Sequence, residues 1–118
     1  MLKSHSRIDS FKFAWQGIKC FFAAESNAKI HALAAMVAIA VGWVLNITSL
    51  EWISVSVCIA LVWITEAINT SIEDICDLIS KDPDPRIKKI KDISAGAVLM
   101  STILAILVGL IVFGKRCI

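Results

Sequence analysis

Three stretches without a formally charged residue decide what this chain can fold into. They cover residues 32–50, 52–65 and 93–114. The first and third approach the roughly 20 residues that a helix needs to cross a bilayer. The second reaches that length if its helix continues through Glu66 towards Ile72. Because apolar residues make up 58% of the chain, against roughly 45–50% in a soluble domain, the sequence predicts a polytopic membrane protein.

A polar stripe begins at the end of the second stretch. Glu66, Asn69, Glu73 and Asp77 follow at i, i+3, i+7 and i+11, so a continuous helix carries them on one face over roughly 16 Å. Acids inside a membrane are costly and mark functional sites by default. The alternative is the solvated end of a long helix. That alternative explains Asp77 but not Glu66 and Asn69, because apolar residues resume beside them.

The N-terminal segment predicts an amphipathic helix in the membrane interface rather than a cleavable signal. Lys12 and Lys19 interrupt the apolar run that a signal peptide requires. Apolar residues instead recur at steps of three and four, which places them on one helix face: Ile8, Phe11, Trp15, Ile18 and Phe22. Such a helix buries its aromatic side chains among the acyl chains. Packing against a soluble partner is the alternative.

Two titratable side chains flank the entry to the first span. Glu25 lies where the interfacial helix turns into the membrane, and taken alone it is an ordinary surface acid. His31 has no second histidine nearby, so a hydrogen-bonded interfacial role is favoured over a metal site. Small residues then follow on one face and permit close helix packing: Ala28, Ala32, Ala35 and Gly42.

The distribution of basic residues predicts the topology. Residues 46–51 contain no Lys or Arg, whereas residues 80–92 contain Lys81, Arg86, Lys88, Lys89 and Lys91. The positive-inside rule therefore places residues 80–92 in the cytoplasm, and Lys115 and Arg116 near the outer face are an exception to it. The basic segment is either an ordinary loop that attracts anionic lipid or a clamp for a polyphosphate.

Familiar catalytic and structural motifs are missing from the sequence. The four cysteines are scattered without a CxxC pair, so neither a disulfide framework nor a zinc site is expected. No Walker A loop, kinase glycine loop or dinucleotide fingerprint occurs. Any nucleotide site must therefore be built from the polar stripe and the basic segment.

Two motifs together resemble a known family. Glu66-Ala-Ile-Asn69-Thr-Ser-Ile-Glu73 followed by Asp77, and Lys91-Asp92 followed by Ala95-Gly-Ala, are similar to the signature of the small bacterial integral-membrane diacylglycerol kinases, a family that includes undecaprenol kinases. The motif is long, its internal spacing is fixed, and the match covers nearly the whole chain. A chance match is therefore improbable.

The resemblance implies an all-α membrane protein with three transmembrane helices preceded by an amphipathic interfacial helix, assembled as a homotrimer. On this sequence the single domain 1–118 divides into an interfacial helix over about 5–25, transmembrane helices over about 28–48, 50–79 and 91–114, and a cytoplasmic loop over 80–90. The implied location is the bacterial plasma membrane, with active sites between subunits at the cytoplasmic face.

The implied reaction transfers the γ-phosphate of MgATP to the hydroxyl of diacylglycerol or undecaprenol, giving phosphatidic acid or undecaprenyl phosphate. By the resemblance Glu66 is the general base and Asn69 positions groups around it, while Glu25 and Glu73 hold Mg²⁺. The ATP contacts are Phe13, Glu25, Glu73, Asp77, Asp82, Pro83, Asp84, Lys91 and Asp92. Glu66, His31 and Ala95 face the lipid, and no nucleic acid is involved.

Two alternatives remain open at this stage. His31 stands where some diacylglycerol-using relatives have an acid, and Glu25-x-Asn27-x-x-Ile30-His31 is similar to the undecaprenol kinase branch, which favours undecaprenol as the lipid. The second alternative is a non-catalytic membrane protein, such as a transporter subunit or an assembly factor, whose acids line an ion path. Glu51 at the outer edge is the sole acid between residues 32 and 65, which disfavours such a path.

Overall fold

Four α-helices make up the part of the chain that the computed structural model describes, residues 6–117. They are α1 (Arg7–Ala24), α2 (Ser26–Leu45), α3 (Ser49–Ile79) and α4 (Pro85–Cys117). The predicted all-α architecture is confirmed, and α2, α3 and α4 are each long and apolar enough to cross a membrane. The predicted beginning of the first helix at residue 5 lies outside the described residues.

Helix α1 is joined to α2 through a single extended residue. The hydroxyl of Ser6 accepts a hydrogen bond from the backbone N–H of Asp9 at 3.1 Å and so caps the start of α1. Glu25 has φ −99° and ψ 121°, and its N–H closes the last turn on the carbonyl of Phe21. Most apolar residues of α1 are exposed, including Phe11 and Trp15, whereas Phe22 at its end is half-buried against the Trp63 ring. No other described segment of the chain packs against most of these apolar side chains. Helix α1 therefore has a surface suited to lipid.

The connection between α2 and α3 covers residues 46–48. Asn46 adopts the left-handed conformation with φ 55° and ends α2. Thr48 and Glu51 then form a capping box, in which each side chain accepts a hydrogen bond from the other's backbone N–H. This reciprocal cap places Glu51 in the first turn of α3.

Helix α4 begins at Pro85, six residues before the predicted start of the third span at residue 91. Asp84 accepts a hydrogen bond from the backbone N–H of Arg86 at 2.8 Å, and proline suits the first helical position because no N–H is needed there. With 31 and 33 residues, α3 and α4 are about 46 and 50 Å long. Both exceed the roughly 30 Å hydrocarbon core, so they extend beyond it.

Small residues allow α2 to approach α3. Ala28, Ala35 and Gly42 are buried, which confirms three of the four positions on the predicted close-packing face. At Gly42 a Cβ atom would lie 2.9 Å from the Trp52 ring, so α2 and α3 are in tight contact near the outer connection. The core beside this contact includes Val55 of α3 and Val112 of α4.

A charged cluster ties the beginning of α3 to the end of α4. Arg116 Nη2 lies 2.6 Å from Glu51 Oε1, and Arg116 Nη1 lies 2.7 Å from Oε2. Lys115 Nζ is 2.8 Å from the same Oε2. The two basic residues that the sequence analysis treated as an exception to the topology rule therefore neutralise a single buried acid.

Candidate active site

The polar stripe of α3 runs from the protein interior to solvent. Glu66 and Asn69 are 4% and 8% exposed, whereas Glu73 and Asp77 are exposed. Counted from Ser49, a span of about 20 residues ends near Ile68. A span counted in this way ends within one turn of Glu66 and leaves the exposed acids beyond it.

Glu66 is held from the neighbouring helix by a neutral donor. Asn27 Nδ2, in the first turn of α2, donates a hydrogen bond to Glu66 Oε1 at 3.2 Å. The sequence analysis named Asn27 only as part of a branch-specific pattern and missed this contact. The available signal was an amide side chain two residues after Glu25, at the start of the helix that enters the membrane.

Asn69 bonds to an exposed acid of the same helix. Its Nδ2 donates to Glu73 Oε1 at 3.1 Å, while its Oδ1 is buried and has no hydrogen-bond partner among the described residues. Since buried polar atoms are normally paired, this oxygen is an acceptor waiting for a donor or a cation. A buried amide oxygen beside a carboxylate provides the hard oxygen ligands that Mg²⁺ prefers.

The described residues contain no group of three or more His, Cys, Asp and Glu side chains that could hold a metal by themselves. This arrangement still fits Mg²⁺ on a nucleotide, because that ion is commonly bound through one or two carboxylates together with substrate phosphates and water. Glu25, between α1 and α2, and Glu73, on α3, are the two predicted metal ligands.

A second polar region surrounds the connection between α3 and α4. Its cavity of about 520 Å³ gathers six of the nine predicted ATP contacts: Asp77, Asp82, Pro83, Asp84, Lys91 and Asp92. Lys91 Nζ pairs with Asp77 Oδ1 at 2.8 Å, and the Arg86 guanidinium beside Asp84 holds the pKa of that carboxyl below its usual range. Paired carboxylates and ammonium groups around an open cavity suit a polyphosphate and its counterion. The remaining predicted contacts, Phe13, Glu25 and Glu73, are not among the residues that line it.

An apolar cavity of about 250 Å³ lies between α2, α3 and α4, on the face of α3 that carries Glu66. Val55, Val62 and Trp63 line it from α3 and His31 from α2, together with several alanines. His31 follows Asn27 by one helical turn, so the Asn27–Glu66 bond lies at one end of the cavity. The predicted lipid contact Ala95 is exposed on α4 and does not line it.

The sequence matches one family profile over most of its length. The profile described as "Prokaryotic diacylglycerol kinase" aligns with residues 12–113, which include all the predicted site residues. The match begins within α1 and ends within α4, so it covers each of the four helices.

Individual relatives agree with that match. The chain is 34% identical over 101 residues to a protein of Synechocystis sp. named diacylglycerol kinase, covering 85% of this chain but 58% of that relative. It is 33% identical over 104 residues to a Bacillus subtilis protein named undecaprenol kinase, covering 88% and 85%. A more distant relative, the Escherichia coli protein named diacylglycerol kinase, is 23% identical over 95 residues, covering 80% and 78%.

Proposed function

The chain belongs to the prokaryotic diacylglycerol kinase family, and we propose that it transfers the γ-phosphate of ATP to the hydroxyl group of a membrane lipid. The observation that carries this proposal is the position of Glu66. A buried carboxylate at the boundary of the hydrocarbon core lies between an apolar cavity and a series of exposed acids. A lipid hydroxyl and a nucleotide meet at such a boundary.

Glu66 acts as the general base in this proposal. Its carboxylate accepts the proton of the lipid hydroxyl while the lipid oxygen bonds to the γ-phosphorus. The bond between that phosphorus and the oxygen bridging it to the β-phosphate breaks, and ADP leaves with the electron pair. Phosphoryl transfer depends mainly on positioning and on charge neutralisation. A buried base next to the lipid and a nucleotide outside the membrane meet the requirement for positioning, and the charged groups around the nucleotide meet the requirement for charge neutralisation.

The nucleotide side of the site is supplied by the far end of the stripe. Glu73 lies seven residues beyond Glu66, about 10 Å along the helix axis. Glu25 and Glu73 would hold Mg²⁺ on ATP, and Asn69 orients Glu73 through its amide. Bound Mg²⁺ neutralises charge on the phosphate oxygens. Asp77, Lys91 and the turn over residues 82–84 line the adjoining cavity that receives the nucleotide.

The lipid is proposed to be undecaprenol, with diacylglycerol as the other candidate. The apolar cavity next to Glu66 is lined by His31 and small alanines, and it can accept hydrocarbon that carries no ester group. An unpaired acid beside such a chain would be costly, and His31 introduces none. The relative named undecaprenol kinase supports this choice, and the two named diacylglycerol kinase support the alternative.

The working assembly is proposed to be a homotrimer in the bacterial plasma membrane, with active sites between subunits at the cytoplasmic face. The large apolar area that each chain exposes supports a lipid environment and helix contacts between copies. The five basic residues over 80–92 support a cytoplasmic position for the nucleotide cavity. Helix α1 then lies in the cytoplasmic interface.

The direct test is transfer of labelled γ-phosphate from ATP to undecaprenol or diacylglycerol by the purified protein in mixed micelles. We expect Mg²⁺-dependent labelling of lipid. We also expect Glu66→Gln to lower turnover by at least about 10²-fold, since a general base contributes that much or more. Asp74→Asn, the same carboxylate-to-amide change at an exposed residue of α3, is the control and should retain wild-type turnover. Full turnover by assembled Glu66→Gln would remove the base assignment.

A further inference from the structure

The Asn27–Glu66 hydrogen bond uses one of the two carboxylate oxygens. Asn27 Nδ2 occupies Glu66 Oε1 at 3.2 Å, and no described residue bonds to Oε2. Glu66 is 4% exposed as a residue. One oxygen is therefore fixed by an amide, and the other remains available to a hydroxyl group.

Asn27 is exposed, but its backbone belongs to a packed turn. It lies in the first turn of α2, and the next residue, Ala28, is fully buried at 0% exposure. A buried small residue at the start of a helix holds that turn against its neighbour. The amide of Asn27 is consequently presented by a rigid element rather than by a loop, which is what precise orientation of a catalytic carboxylate requires.

We propose that Asn27 is the positioning residue of the base, orienting the Glu66 carboxylate so that Oε2 faces a lipid hydroxyl at the end of the apolar cavity. This inference rests on the proposed function. A neutral donor orients the carboxylate without supplying the positive charge that would make it a weaker base. The apolar cavity begins one turn further along both helices, at His31 and Trp63, so the lipid chain and its hydroxyl share one axis with the carboxylate.

Glu25 and His31 flank Asn27 in the chain, Glu73 lies about two turns from Glu66 on α3, and Lys91 of α4 pairs with Asp77. All of these titratable residues are present in every Asn27 variant. A difference in kcat or pH profile between the variants therefore arises from the side chain at position 27, which faces Glu66 Oε1.

The experiment compares Asn27→Ala and Asn27→Asp with wild type, using labelled phosphate transfer to undecaprenol across a range of pH. We expect Asn27→Ala to lower kcat about 10²-fold, because a misplaced reacting group costs about that much, while the KM for ATP changes less than twofold. Asn27→Asp places a second carboxylate next to Glu66. Since like charges oppose ionisation, the acidic limb of its kcat profile should move up by about one pH unit or more.

Asn27→Asp also protects the test against simple misfolding. An acidic residue in the first turn of a helix is favourable, so α2 should form normally, and size-exclusion chromatography checks the assembly. Lys29→Ala, two residues along on the exposed side of α2, is the matched control and should retain the wild-type rate and pH profile.

The outcomes separate the inference from the proposed function. In one outcome the wild-type protein is active, Glu66→Gln is inactive, and both Asn27 variants keep the wild-type kcat and pH profile. That outcome overturns the positioning role alone. A lowered melting temperature in Asn27→Ala with an unchanged pH profile in Asn27→Asp also overturns it, because Asn27 is then structural. Absence of lipid phosphorylation by wild type, or full activity of Glu66→Gln, overturns the proposed function and the inference with it.

Discussion

At the residue scale, the partners of the acidic side chains separate structural carboxylates from the candidate base. Glu51 is bound by Arg116 and Lys115, and Asp77 is bound by Lys91. Glu66 is bound by the neutral amide of Asn27. A cationic partner stabilises the ionised carboxylate and weakens it as a base. Glu73 also has a neutral partner, the amide of Asn69, but Glu73 is exposed, whereas Glu66 is buried. The acid that must accept a proton is thus the buried one whose partner is uncharged.

The Glu51 cluster is predicted to stabilise the α3–α4 pair. Glu51→Gln removes the negative charge of the carboxylate that binds two nitrogens of Arg116. The Arg116 side chain is 22% exposed, and its guanidinium loses its counter-charge. We expect the melting temperature of the detergent-solubilised protein to fall by several degrees. Circular dichroism against temperature measures it.

Lys115→Gln is the control for that prediction. Its ammonium also touches Glu51, but the side chain is 58% exposed, and exposed ion pairs contribute little. Its melting temperature should therefore stay near that of wild type. Equal losses in Glu51→Gln and Lys115→Gln would show that the bidentate Arg116 contact has no special weight.

At the element scale, the contact between α2 and α3 depends on the absence of a side chain at Gly42. An alanine Cβ there would meet Trp52 at 2.9 Å and Ile47 at 3.0 Å. Overpacking of this kind costs about 1–3 kcal/mol, which outweighs the roughly 1 kcal/mol that alanine gains over glycine in a helix. We expect Gly42→Ala to lower the free energy of unfolding, measured by reversible SDS denaturation in micelles.

Gly114→Ala provides the matched comparison, because a Cβ at that glycine has no atom within 4 Å. The same helix-propensity gain applies there without the clash, so Gly114→Ala should be neutral or slightly stabilising. If Gly42→Ala proved as stable as Gly114→Ala, the close approach of α2 to α3 would be wrong.

The helices and the stripe follow from local sequence, and for that reason they could be predicted. Three uncharged stretches and the spacing of Glu66, Asn69 and Glu73 each depend on residues near one another in the chain. The Asn27–Glu66 bond and the Glu51–Arg116 pair join residues 39 and 65 positions apart. No local period encodes such contacts, since they arise from how the helices pack.

The ends of the helices were harder to predict than their existence, because single side chains decide where a helix begins. The early start of α4 depends on one side chain, Asp84, which accepts the N–H of Arg86 beside a proline. Pro85 itself occupies the first helical position, where proline favours a helix start. The predicted loop over 80–90 therefore contains the first turn and a half of α4.

At the scale of the whole molecule, the proposed site between subunits predicts complementation. Asn27 reaches Glu66 of its own chain. In the proposed assembly, Glu25 completes the site of a neighbouring chain. Mixing subunits inactivated by Glu25→Ala with subunits inactivated by Glu66→Gln should restore part of the lipid-kinase activity.

Mixing Glu66→Gln subunits with Glu73→Ala subunits is the control for that experiment. These two residues lie on the same helix. Every site therefore contains one substitution or the other, because each α3 in the mixture carries one of them. No activity should return from this pair. Absence of recovery from the Glu25 and Glu66 pair as well would show that one chain supplies the complete site.

In the proposed function, the residues that line the apolar cavity determine the lipid preference. The reaction needs only a hydroxyl at the membrane boundary, so selection between lipids depends on the hydrocarbon side. There the cavity offers His31, alanines and β-branched residues, which suit an isoprenoid without ester groups. We expect kcat/KM to be higher for undecaprenol than for diacylglycerol in the same mixed micelles. A tenfold preference for diacylglycerol, about 1.4 kcal/mol of transition-state discrimination, would contradict this choice while leaving the kinase assignment intact.

Filling the cavity tests whether the lipid chain enters it. Ala38 lines the cavity, whereas Ala40 lies on the exposed side of α2. Ala38→Phe should raise the KM for undecaprenol about tenfold or more, because a phenyl ring takes up space that the chain needs, and the KM for ATP should not change. Ala40→Phe adds the same ring towards the bilayer and should behave as wild type. Equal effects of the two substitutions on the lipid KM would place the chain outside this cavity, on another face of the subunit.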